Sequence, residues 1–138
     1  MKVRFEALFT LKLVRAHRDE IFVFGDNMEK WGKKGQAVIR AMPNAFGVPT
    51  KREPKTYEAA YFSDQEDEIA ALESSLRALY TLSRTHTLVF PKGGLGTGLA
   101  EMETRSPRAW RRMNQILEDH FGVINGLASK LAEPGLEP

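Results

Sequence analysis

The stretch Thr87-Leu-Val-Phe-Pro-Lys-Gly-Gly-Leu-Gly-Thr-Gly-Leu-Ala-Glu101 constrains the fold more than any other part of the chain. Leu88, Val89 and Phe90 form a short apolar run of the kind found in buried strands. Pro91 cannot donate to a ladder and ends the run. Gly93, Gly94, Gly96 and Gly98 follow within six positions. Glycine accepts positive φ and carries no side chain, so a ligand can come close to the backbone there. Successive free N–H groups in such a loop make a concavity suited to phosphate. A strand feeding a glycine loop that opens a helix is where open α/β sheets bind nucleotides. Lys92, Gly93, Gly94, Leu95, Gly96, Thr97 and Gly98 are therefore candidate ligand-binding residues.

A second unit of the same kind lies earlier. Ile21-Phe-Val-Phe24 reads as a buried strand, and Gly25-Asp26-Asn27 are turn formers. A glycine-containing loop from Met28 to Gln36 follows. Gln36 to Met42 is expected to be a short helix turning Ala37, Val38 and Ala41 inward, stopped at Pro43-Asn44. Two strand–loop–helix units, at 21–42 and 87–120, can place both loops at one end of a sheet.

The remaining segments fit the same scheme. Residues 3–13 alternate apolar and polar, which predicts one long strand. Ala45–Thr50 reads as a short strand with Pro49 at an edge or an end. Ser63-Asp64 is expected to open a helix whose apolar face is Ile69, Leu72, Leu76, Leu79 and Tyr80. Ser106 and Pro107 are expected to start another, burying Trp110, Met113, Leu117 and Phe121. Alternating strands and helices imply an α/β layered domain. One domain over 1–125 fits the 138 residues, with 126–138 as a frayed tail.

Composition excludes several classes of chemistry. The chain has no cysteine, so disulfides and thiolate catalysis are ruled out. His17, His86 and His120 lie far apart without metal-ligand spacing, so no metal and no cofactor is expected. No apolar run approaches the ~20 residues that span a bilayer. Lys2, Arg4 and Glu6 interrupt any leader pattern, so a cytoplasmic location without membrane contact is expected. A net charge of +2 is too small to argue for nucleic acid.

The order of motifs resembles a macrodomain, the α/β module that binds ADP-ribose. The residues that carry the likeness are Ile21-Phe-Val-Phe-Gly-Asp-Asn27, then Trp31-Gly32-Lys-Lys-Gly35-Gln36-Ala37, then Val89-Phe-Pro-Lys-Gly-Gly-Leu-Gly-Thr-Gly-Leu99. Val48-Pro-Thr-Lys51 with Lys55-Thr-Tyr57 is similar to the branch that removes ADP-ribose from acidic side chains. Small macrodomain-like proteins encoded by phages have a comparable layout. The resemblance covers roughly residues 21–120. It implies a three-layer α/β/α fold with a central mixed sheet, and ADP-ribose or a related nucleotide as ligand. An ADP-ribosylated protein is the implied partner.

The residues allow such a role. Gly32 and Gly35 would bring backbone N–H groups to a diphosphate or the distal ribose, with Gln36 beside them. Asn27 offers both donor and acceptor to ribose hydroxyls. Asp26 could accept from an adenine amine, and Trp31 could stack on a base. Lys51 corresponds to the catalytic lysine of the acidic-residue branch, with Asn27 as second candidate participant. An amine attacks only when deprotonated, so Lys51 needs a desolvated or cation-flanked site. Arg52 and Lys55 are the expected flanking cations. Where that branch carries an aspartate, this chain has Ala100. Glu101 comes one residue later, and in an extended segment it would face the other way. Nucleotide binding is thus the primary expectation and ADP-ribosyl hydrolysis the secondary one. Two alternatives follow from the same residues. Gly93-Gly-Leu-Gly-Thr97 is similar to the loop of nucleoside 5′-monophosphate phosphoribohydrolases. Arg105, Arg108, Arg111 and Arg112 could form a non-enzymatic surface for nucleic acid or an acidic protein.

Overall fold

The two apolar runs at Ile21–Phe24 and Leu88–Phe90 are buried throughout, as central strands covered on both faces must be. In the computed structural model, which describes residues 1–128, they are the inner strands of a four-stranded sheet. The strands are β1 (Val3–Glu6), β2 (Glu20–Asn27), β3 (Ala45–Lys51) and β4 (Thr87–Pro91), in the order β1-β4-β2-β3. Phe22 pairs with Val89, Phe24 with Gly47 and Val3 with Leu88. Period-two alternation sends Ile21, Val23, Leu88 and Phe90 into one core and Phe22, Phe24 and Val89 into another.

Helical segments cover both faces. On one side lie α1 (Leu11–Ala16) and a short 3-10 helix over Gly35–Ile39, contributing Val14 and Ile39. On the other lie α2 (Glu66–Leu82) and α4 (Pro107–Phe121). A four-residue helix, α3 (Met102–Arg105), leads into α4. Burial of each large apolar side chain stabilises the fold by roughly 1.5–3 kcal/mol. No helix among the described residues is long and apolar enough to cross a membrane.

The expected mixed sheet is corrected: the four strands pair in parallel throughout. Every link between them is a crossover carrying a helical segment, and parallel pairing follows from that geometry. The long strand expected over 3–13 stops at Glu6. Thr10 Oγ1 accepts from Leu13 N at 3.0 Å and nucleates α1, so a cap overrides the alternation. Between strand and helix, Phe9 turns edge-on to Phe22, with ring centroids 5.3 Å apart. The helix expected over 36–42 is the short 3-10 segment, and Ala41 is exposed rather than inward.

The helix expected to open at Ser63-Asp64 begins at Glu66, with Gln65 and Glu68 in a reciprocal capping box. Leu72, Leu76 and Leu79 are buried as expected, while Tyr80 is exposed. Asp64 instead caps α4 across the domain: its Oδ1 accepts from Ala109 N at 2.9 Å and from Ser106 Oγ at 2.8 Å. Ser106 precedes α4 as expected but makes no cap hydrogen bond of its own. Of the expected tail, residues 129–138 lie outside the described residues.

Candidate functional site

Four parallel strands bring Glu6, Asn27, Lys51 and Pro91 to the same edge of the sheet. The loop after β2 leaves toward the α1 face, and the loop after β4 leaves toward the α4 face. Neighbouring strands whose loops diverge to opposite faces mark the carboxyl-edge position where open α/β sheets hold ligands. The loops also touch the same strand. The Gly96 nitrogen lies 3.9 Å from where a Cβ on Gly25 would sit.

The loop after β2 is tied down by two side chains. Asn27, 6% exposed, donates from Nδ2 to Trp31 O at 2.8 Å, while its Oδ1 is buried without a partner. Arg40 donates to Asp26 Oδ1 at 2.6 Å, to Gly32 O at 2.9 Å and to Trp31 O at 3.2 Å. Asp26 is thereby committed to an ion pair. Gln36 is committed as well: Nε2 donates to Ala7 O, and Oε1 accepts from Phe9 N at 2.8 Å. It fastens the segment after β1 and has no free amide for a ligand. The Trp31 indole is 46% exposed. It donates to Glu29 and lies 4.8 Å below the Lys55 ammonium. Gly35 adopts φ 61°, and a Cβ there would meet nothing within 4 Å.

The loop after β4 is closed from within. Lys92 N donates to Glu6 O, which fixes the loop's start beside β1. Thr97 Oγ1 donates to Gly93 O at 2.9 Å and to Gly94 O at 3.2 Å. Met102 N donates to Gly96 O. Leu95 is buried, and both its N–H and its carbonyl pair with the side chain of Asn125. Among the described residues no protein acceptor pairs with the backbone N–H groups of Gly96, Thr97, Gly98 and Leu99. Four consecutive free donors at a strand end are available to an anion.

Lys51 ends β3, the edge strand beside β2. Its Nζ donates to Lys55 O at 2.6 Å and lies 4.4 Å from the Tyr61 ring centroid. Burial lowers its pKa below the ordinary lysine value, and the charges of Arg105 and Lys34 lower it further against the opposing pull of Glu101. The field at Lys51 thus comes from both sides: Lys34 precedes Gly35, and Glu101 and Arg105 follow the β4 loop.

The expected flanking cations are corrected. Arg52 turns toward α2 and pairs with Asp67 and Glu68. Lys55 offers Lys51 its carbonyl, not its charge. Arg105 takes that place, with its Cζ 3.7 Å from the Tyr61 centroid and its Nη1 2.9 Å from Glu58. Its buried Nε has no hydrogen-bond partner, and Glu101 Oε2 stands 3.5 Å away. The remaining arginines form a separate group. Arg108, Arg111 and Arg112 line a shallow groove with Ile69 and Gln115 on the outer side of α2 and α4.

Glu101 is not in an extended segment, as the sequence suggested, but in the left-handed region at φ 45°, ψ 39°. That conformation brings its carboxylate toward Arg105 and into the field of Lys51. Non-glycine residues held there cost about 1–3 kcal/mol and cluster at functional sites. Glu101, Arg105, Tyr61 and Asn125 therefore join the site. Glu101 was visible beforehand as a misplaced acid and Arg105 only as part of a surface arginine cluster, while Tyr61 and Asn125 gave no signal.

Residues 4–116, which hold β2, β3, β4, all but the first residue of β1 and most of α4, match the model of a family described as a family of unknown function (DUF7831). The chain belongs to that family. No curated protein and no solved structure matches it.

Proposed function

We propose that the carboxyl edge of the sheet binds ADP-ribose or a related nucleotide, in a macrodomain-like arrangement of the two glycine loops. The observation that carries this reading is the run of free N–H groups from Gly96 to Leu99 at the end of a parallel strand. Such a run suits a diphosphate. The unpartnered Oδ1 of Asn27 is an acceptor for a ribose hydroxyl. The exposed Trp31 indole at the mouth of the β2 loop is a platform for the base.

Hydrolysis of an ADP-ribosyl bond is the proposed further step, with an ADP-ribosylated protein as substrate. The lowered pKa of Lys51 raises its neutral fraction, which a nucleophilic amine requires. The Lys51 lone pair would form the bond to the anomeric carbon while the acidic side chain leaves with the C–O electrons. Water would then release ADP-ribose and regenerate the lysine. Glu101 is the carboxylate nearest in role to a proton acceptor for the attacking amine.

Calorimetry with ADP-ribose, NAD, AMP and cyclic nucleotides tests the binding step. Heat with ADP-ribose and none with AMP supports this reading. Preference for AMP would move the assignment to a monophosphate phosphoribohydrolase. Release of ADP-ribose from a modified acidic side chain, compared between wild type and Lys51→Ala, tests the chemistry. Equal rates would remove Lys51 from the mechanism.

A further inference from the structure

We infer that Asn125 is a positioning residue for the anion-receptive loop after β4, acting on it from beyond the end of α4. This inference rests on the proposed ligand role of that loop and adds the element that sets the loop's shape.

The geometry starts at the end of α4. Gly122 closes the helix at φ 66°, and Val123 N donates back to Leu117 O at 2.9 Å. Val123 is 3% exposed and sits in the core with Leu117 and Phe121. Asn125 is therefore delivered by a segment anchored two residues earlier. Its amide then does for Leu95 what a neighbouring strand would do. Oδ1 accepts from Leu95 N at 2.8 Å, and Nδ2 donates to Leu95 O at 2.8 Å. The approach is close: a Cβ on Gly94 would stand 2.9 Å from Asn125 Oδ1 and 3.0 Å from Gly126 N.

Leu95 is the residue on which the cradle turns. It is the only buried large side chain between Pro91 and Ala100, and the run of four free N–H groups begins immediately after it. The hydrogen bonds from Thr97 and from Gly94 N close the loop on itself, and that from Met102 N ties it to α3. None of them fixes Leu95. A side chain that pins both polar groups of Leu95 fixes the direction of the four donors without touching what they bind. Ligand affinity and docking of the 122–128 segment are then linked, and linkage works equally in both directions.

Asn125→Ala and Asn125→Asp test this, with inorganic pyrophosphate and ADP-ribose as probes and amide hydrogen exchange as a ligand-free readout. In Asn125→Ala, exchange should quicken at Leu95 and also, by about tenfold, at Ala100 and Met102, while α2 keeps wild-type protection. Affinity for both probes should fall by a similar factor. Asn125→Asp keeps the acceptor for Leu95 N–H but sets a carboxylate oxygen against the Leu95 carbonyl, so it should quicken exchange at Ala100 and Met102 at least as much as alanine does, and that exchange carries the test if the alanine variant fails to fold. Faster exchange confined to Leu95, with pyrophosphate affinity within twofold of wild type, would overturn the inference. If the wild type binds neither probe, the ligand reading fails. Exchange at Ala100 and Met102 then decides alone whether Asn125 sets the loop.

Discussion

The two glycine loops at the carboxyl edge are held in different ways. The loop after β4 is held by packing at Gly96 as well as by its own hydrogen bonds and those of Asn125. Gly96 lies at φ 75°, and a Cβ there would fall 2.6 Å from Met102 Sδ and 3.2 Å from Met113 Cε. Its glycine is demanded by the protein's own core. The loop after β2 is held by charge and hydrogen bonds, through Arg40 and Asn27, and Gly35 faces open space. A glycine-rich stretch is therefore not in itself a ligand signal, because packing alone can require it. What distinguishes the β4 loop is that its packing leaves four backbone donors free beside β2.

The largest effect should come from forcing a side chain into the packed loop. Gly96→Ala places alanine in a left-handed conformation at about 1–2 kcal/mol and overpacks the Met102 site at roughly another 1–3 kcal/mol. Urea unfolding should show a loss of about 2–5 kcal/mol. A loss below about 1 kcal/mol would mean that Met102 swings aside freely, and the contrast between the loops would collapse. Next comes Arg40→Ala. Its partner Asp26 has a side chain only 9% exposed, and removing the arginine leaves that carboxylate poorly compensated. Hydrogen bonds to charged groups suggest a cost of about 2 kcal/mol. The Trp31 emission should also shift red as its loop detaches. Unchanged emission would show that Asn27 alone holds the loop.

The same contrast explains what the sequence could show. The strands at 21–24, 45–50 and 87–91 and the buried faces of α2 and α4 were legible, because each depends on local periodicity and on one core. Thr10 broke the period of residues 3–13 through a single cap. Asp64 carries a local N-cap signature but serves a helix that starts at Pro107, a choice made by tertiary packing. The site was half legible. Asn27, Lys51 and the β4 loop stand at strand ends, which a pattern can locate. Lys51, Tyr61, Glu101 and Arg105 converge through parallel pairing, an antiparallel bridge between Lys51 and Tyr61, and one left-handed residue. Gln36 and Asp26 read as free polar groups, and nothing local showed that Ala7, Phe9 and Arg40 would engage them.

Gly35→Ala is the counterpart of Gly96→Ala in the open loop. The position has φ 61° and no atom to clash with, so only the backbone term remains, about 1 kcal/mol. Thermal unfolding should show a clearly smaller shift than for Gly96→Ala. Equal losses would mean that both loops are limited by backbone strain and that packing does not separate them.

The smallest effect concerns Lys51, which feels both loops. Its pKa is lowered from 10.5 in the folded state, by burial first and then by Arg105 and Lys34. A depressed lysine disfavours its charged form on folding. The resulting penalty is present in full below the folded-state pKa and disappears as pH rises toward the unfolded value. Wild-type stability should therefore gain over that upper window, relative to Lys51→Met. Near pH 7 the methionine variant should be as stable as wild type or slightly more so, by about 0.5 kcal/mol or less. Denaturant unfolding of both proteins from pH 7 to 10.5 should show the two curves converging. If Lys51→Met loses stability at pH 7 and the gap does not change with pH, the ammonium is a structural donor to Lys55 O and not an amine tuned for reaction. The β2 and β4 loops would then meet around a tether instead of around a nucleophile.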